Sequence, residues 1–268
     1  MARLSATSVH KPSQPLRSGG VFGRASAFIR RWPVLFLLPM ALDLTQRVLE
    51  FSTGYYRRWG VLDPGVIPIW AILVVIKLLL VFLVVFTGCQ WWAAQDDNHE
   101  FKPRYPRMLL GLAVLLLIYM GGALIAGAAF MLSGSALPTT FSKIAFGLGV
   151  TVLEWAWLSL TIPSAIGLAV EGSARSGRAA LRNWRRQLGW ASVVLLLAAA
   201  PWAASHLGLE LAIYGQPQWL LICWMILADP LAMGLFAVFL GSGYYGLYRQ
   251  AVQSTQSERT TEHSVAIG

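Results

Sequence analysis

Six ionisable side chains interrupt segments that are otherwise almost wholly apolar. Asp43, Arg47 and Glu50 fall in "LLPMALDLTQRVLEF", Lys77 in "AILVVIKLLLVFLVV", Glu154 in "GVTVLEWAWLSL" and Asp229 in "MILADPLAMG". Carboxylates and amines in apolar surroundings can hand on protons or hold cations. They can equally neutralise one another as a lock between helices. Asp43, Lys77, Glu154 and Asp229 each lie ten or eleven residues inside their apolar run. At about 1.5 Å per helical residue this places all four near the middle of a layer about 30 Å thick. An isolated Asp or Lys there costs on the order of 3 kcal/mol, so pairing of Lys77 with Glu154 or Asp229, and of Arg47 with Asp43, is expected. Arg47 and Glu50 continue the face of Asp43 at i+4 and i+7.

The elements that must carry these residues follow from composition. The chain has 268 residues, of which 56% are hydrophobic and 12% charged, and its mean hydropathy is +0.59. A soluble domain carries about 25% charged residues. Apolar runs at 32–51, 66–90, 108–132, 144–170, 188–209 and 218–248 approach or exceed the length that crosses a bilayer,. Runs of that length without alternation satisfy their backbone in lipid only as helices. The expected fold is all-α: a polytopic membrane protein with a bundle of six transmembrane helices. A disordered basic cytoplasmic tail with a short interfacial helix occupies 1–31, the transmembrane domain 32–249, and a disordered cytoplasmic tail 250–268. Pro39, Pro163, Pro201 and Pro230 fall inside spans and predict kinks,.

Lysine and arginine divide unequally between the two sides. Arg3, Lys11, Arg17, Arg24, Arg30 and Arg31 precede the first span, Lys102, Arg104 and Arg107 follow the second, and Arg249 and Arg259 follow the sixth. Arg175, Arg178, Arg182, Arg185 and Arg186 join them between spans four and five, whereas the other side holds only Arg57, Arg58 and Lys143. By the positive-inside rule both termini are cytoplasmic. This also supports a crossing by the first run, whose uninterrupted apolar core is short. Nucleic acid is not expected as a partner, since the formal charge of +9 lies beside apolar runs,. No signal-peptide cleavage site follows the first run, and Arg30-Arg31 is only a faint echo of a twin-arginine signal.

Catalytic, metal and cofactor chemistry finds little support. Cys89 and Cys223 lie at opposite ends of their spans, which excludes a disulfide between them. "DDNHE" at 96–100 has the composition of a solvated turn, and no nucleophile-elbow, P-loop or dinucleotide motif occurs in a strand-turn-helix setting,. Gly122 with Ala126, and Ala123 with Gly127, are small-xxx-small pairs suited to helix packing. Trp32, Trp91, Trp92, Trp184, Trp190, Trp219, Tyr244, Tyr245 and Tyr248 lie at span ends, as an interfacial aromatic belt requires,.

The segment "SARSGRAALRNWRRQLGW" is the strongest charge feature. Written as a helix, it places Arg175, Arg178, Arg182, Arg185 and Arg186 on one broad face and Leu181, Trp184 and Leu188 on another. An interfacial amphipathic helix whose guanidinium groups bind anionic lipid headgroups is expected there. With what precedes it, Pro163, Glu171, Gly172, Ala180, Leu181, Arg182 and Trp184, the segment resembles bacterial YciC-like membrane proteins. It is similar also to the membrane domain attached to some glycerophosphodiester phosphodiesterases, although Asn183 stands where a serine is usual. The resemblance implies an all-helical, non-enzymatic inner-membrane protein and no catalysis, because the phosphodiesterase catalytic domain has no counterpart in this chain. The expected partners are the bilayer and anionic phospholipids, and the expected role is envelope maintenance. A proton- or cation-coupled small-solute transporter using the midplane acids is the alternative, followed by an intramembrane enzyme.

Overall fold

The computed structural model describes residues 20–58, 62–134, 157, 161–173, 182, 188–189, 193, 212 and 219–267. They are helical, with turns and short connections and, among the described residues, no strand. Helix α1 (Gly20–Arg31) runs through Trp32 into α2 (Pro33–Ser52). A 3-10 turn (Tyr56–Arg58) precedes α3 (Ile67–Asp96), which is followed by α4 (Tyr105–Gly134), α5 (Thr161–Val170) and α6 (Trp219–Ile267). Prolines open α2 and α3 in their first turn, where the missing N–H has no intrahelical partner to lose,. Pro39 and Pro230 lie inside α2 and α6.

Among the described residues, three helices are long and apolar enough to cross a membrane: Ile67–Asp96, the Tyr105–Gly122 part of α4, and the Trp219–Gln253 part of α6. They coincide with the second, third and sixth expected spans. The first expected span is the 20-residue α2, which is not among the three. It carries Asp43, Arg47 and Glu50 and places them, with Gln46, against α3 and α6. The end of the fourth expected span is α5. The rest of that span, nearly all of the fifth, Pro201 and the first 19 residues lie outside the described residues.

The core gathers at the end of the molecule where α1, α3, α5 and α6 meet. Val85, Phe86 and Cys89 of α3 pack with Phe28 of α1, Ile166 of α5 and Tyr245 of α6, all almost fully buried. The first half of α3 is its opposite: Ile69, Ile72 and Val75 are more than half exposed. Large apolar side chains on α4 and α6, such as Leu117 and Leu227, are exposed as well, as lipid-facing residues are,.

Two expectations change at the core end. Trp92, Tyr244, Tyr245 and Tyr248 do not form an interfacial belt but are buried, because α1 folds over them and Phe28 stacks against Trp91 and Trp92. Arg24 is likewise buried over the Tyr245 ring rather than turned outward. Its burial pushes the guanidinium below its ordinary value, which nearby Tyr245 and Asp96 oppose. Beyond residue 249, where a disordered tail is expected, α6 continues to Ile267. The sequence from Leu247 to Ile267 holds no glycine or proline to stop it,.

Candidate functional site

The buried polar residues of α2 recur as Asp43, Gln46, Arg47 and Glu50, spacings of three and four that put them on one helix face,. That face meets α3, α6 and the 3-10 turn. Arg47 sits at the centre, 1% exposed. Its Nη2 lies 2.6 Å from Asp229 Oδ2 on α6. Its Nη1 donates to Glu50 Oε2 at 2.8 Å and to the Tyr56 hydroxyl at 2.6 Å. Tyr56 donates in turn to the same Glu50 oxygen at 2.7 Å.

Glu50 has its whole carboxylate engaged. Oε1 accepts from Gln46 Nε2 at 2.7 Å and from Trp70 Nε1 at 2.8 Å, the latter reaching across from the first turn of α3. One turn deeper in α2, Lys77 Nζ donates to Asp43 Oδ1 at 2.7 Å and to Gln46 Oε1 at 2.6 Å. Asp43 Oδ2 has no hydrogen-bond partner among the described residues and lies 3.9 Å from Arg47 Nε.

The groups therefore form one connected network across α2, α3 and α6, with Gln46 joining the Lys77–Asp43 half to the Arg47–Glu50 half. Each carboxylate taken into an apolar region needs such partners, because the penalty of an unpaired buried ion is several kcal/mol. Tyr56, outside the helices that cross, is 1% exposed, and burial pushes its phenol above the ordinary value while Arg47 opposes the rise. It thus remains a hydroxyl donor to Glu50 over the whole neutral range.

Four of the five residues expected to cluster, Asp43, Arg47, Lys77 and Asp229, come together here. The expected pairing of Arg47 with Asp43 is present at 3.9 Å, whereas Lys77 meets Asp43 instead of Asp229, and Arg47 also meets Asp229 and Glu50. Glu154 lies outside the described residues. Gln46, Tyr56 and Trp70 complete the network and were not singled out by sequence, since a neutral glutamine or an aromatic near a helix end carries no charge signal.

Of the expected headgroup-binding arginines, Arg182 is helical and exposed. Arg175, Arg178, Arg185 and Arg186 lie outside the described residues. No group of His, Cys, Asp and Glu suited to a metal ion occurs among the described residues, and Cys89 and Cys223 are both free.

Fold and site together define an all-helical protein with three helices able to cross a membrane and a buried ionic network beside them. Compared with known proteins, the chain matches no family model, no curated protein and no solved structure.

Proposed function

We propose that this protein is a non-enzymatic, multi-pass protein of the bacterial inner membrane, with both termini in the cytoplasm. Its Lys/Arg-rich end engages anionic phospholipid in the maintenance of the envelope. The observation that carries the reading is the division of charge. The ions within the apolar part of the molecule bind one another across three helices, whereas on the six-span reading of the sequence most remaining cations fall on one side. An inward-turned network of this kind holds helices in register, the best-attested use of buried ions. Clustered guanidinium groups beside spans are suited to anionic headgroups. The resemblance to YciC-like membrane proteins agrees with this reading. Native mass spectrometry from mild detergent tests it: anionic phospholipid is expected to stay bound, and less of it when Arg178, Arg182 and Arg186 are changed to Gln. Equal retention by both forms contradicts it.

A second reading, a proton- or cation-coupled transporter of a small solute, draws on one observation. Asp43 Oδ2 is buried without a hydrogen-bond partner among the described residues, beside Arg47, which also binds Asp229, as a group that takes up and releases a cation would be,. Asp43→Asn and Asp229→Asn, assayed for both stability and flux in liposomes, separate the two readings. Loss of stability without loss of flux, or without any flux to lose, removes the transporter.

A further inference from the structure

A second polar site opens at the other end of α3, about 30 Å along that helix from Trp70 by helical rise. It is a cleft of about 610 Å³ between the end of α3, the start of α4, the end of α5 and the stretch of α6 around Tyr248, Arg249 and Val252. Lys102, Arg104, Arg107 and Arg249 line it together with Asp97, Glu100 and Glu171. The charges of this set are unevenly used. Glu171 accepts the Tyr248 hydroxyl. Glu100 and Lys102 form a pair at 3.3 Å with both side chains about 80% exposed, so water screens it,. Arg249 lies 3.3 Å from Asp96, which also accepts the Tyr245 hydroxyl at 2.8 Å. Arg104 and Arg107 have no carboxylate partner among the described residues.

The backbone of Arg104 and the side chain of Arg107 are nevertheless held in place. Gln90, a buried amide of α3, accepts from the Arg104 backbone N–H at 3.0 Å and donates to the Ala169 carbonyl at 2.7 Å. One side chain thereby fixes the loop that carries Arg104 to the end of α5. Arg107 Nη1 reaches the Val170 carbonyl at 3.4 Å, at the C-terminal turn of α5, where a cation is favoured,. Gly172 makes room for this. Its φ is +76°, and a Cβ there would lie 3.3 Å from Arg107 Nε. Glycine satisfies both the left-handed turn that ends α5 and the passage of the guanidinium. A guanidinium anchored at Arg107 and a second, exposed one on the fixed backbone of Arg104, neither with a carboxylate partner among the described residues, are suited with Lys102 to the tetrahedral oxygens of a phosphate,.

We propose that this cleft binds the phosphate of a phosphate ester through Arg104 and Arg107, with Lys102 at its rim. The proposal rests on the lipid-engaging reading only for the source of that phosphate, a phospholipid headgroup or a soluble ester. The test is calorimetric titration of the full chain in mild detergent with two probes, monomeric dihexanoylphosphatidylglycerol and glycerol 3-phosphate. Arg104→Gln with Arg107→Gln is expected to weaken binding about tenfold or more, as loss of charge-assisted hydrogen bonds does. Gly172→Ala is expected to weaken it less, by displacing Arg107, and Arg57→Gln, on the far side of the molecule, to leave it unchanged.

Binding of the lipid probe that depends on Arg104 and Arg107 supports both the cleft and the lipid reading. Arginine-dependent binding of glycerol 3-phosphate alone supports the cleft and contradicts its use for lipid. Lipid binding that is equal in wild type and the double variant overturns the cleft and leaves the lipid reading standing. Absence of binding by either probe also overturns it. If the double variant does not fold, Arg104→Gln alone gives the answer, since its side chain makes no contact on which the fold depends.

Discussion

Arg47 meets three acids and a phenol at once, and its removal would strand them. Arg47→Met leaves Asp229 and Glu50 buried without their cation, at a cost of about 3–5 kcal/mol, and a large fall in thermal stability in detergent is expected. Asp229→Asn keeps a hydrogen-bonding side chain opposite Nη2 and is expected to cost clearly less. Tyr56 gives a pH-dependent signature of the same network. Its phenol is raised by burial in the folded state, while in the unfolded chain it ionises near the ordinary value of about 10,. The folded state therefore holds its proton more tightly, so the contribution is fully present below about pH 10 and is lost as pH rises above it. Unfolding midpoints should fall more steeply between about pH 9.5 and 11 in the wild type than in Tyr56→Phe; parallel slopes would show that the phenol is not buried. At this scale the charged members were legible in the sequence, because an ion in an apolar run stands out and helical spacing gives its depth. Their pairing was not legible, since Lys77 at one depth has several acids within reach and only the packing of α2 against α3 selects Asp43. Gln46 and Trp70 gave no signal at all.

Among the elements, close approach is set by glycines that belong to no motif. A Cβ at Gly111 of α4 would come within 2.8 Å of the Ala165 carbonyl oxygen and 2.9 Å of Ala169 Cβ, so α4 and α5 touch through backbone there. The pair motif around Gly122 draws the eye in the sequence, yet among the described residues a Cβ at Gly122 meets only Trp157 Cδ1 at 3.8 Å, an ordinary contact. Gly111→Ala is thus expected to cost about 1–3 kcal/mol by overpacking, whereas Gly122→Ala is expected to be neutral or slightly stabilising in its helix. Unfolding of the two variants side by side checks the contrast; equal effects would place the α4–α5 contact elsewhere. The long apolar helices were the most legible part of the fold, because lipid leaves the backbone no other regular solution in a single segment. The burial of Trp92 and Tyr245 was hidden, since an aromatic at a helix end reads the same whether it faces headgroups or a covering helix such as α1.

At the scale of the whole molecule, the helices able to cross a membrane surround two polar regions of different character. The network around Arg47 is turned inward, with donors and acceptors of α2, α3 and α6 bonded to one another and Asp43 Oδ2 left without a hydrogen bond among the described residues. The cleft beside Arg104 and Arg107 is open and carries unspent positive charge. That contrast favours a molecule whose buried ions hold its helices together while its basic end meets anions. Neither the inward pairing of the first region nor the existence of the second could be read from the chain alone, because both depend on Gln46 and Gln90, neutral side chains that join elements distant in sequence. The most direct test of this account is proton uptake by proteoliposomes holding the wild-type protein under an imposed pH gradient. Uptake no faster than in protein-free liposomes is the predicted result. Uptake that Asp43→Asn or Asp229→Asn abolishes, while the variant remains folded, would contradict it and make the network a conduit.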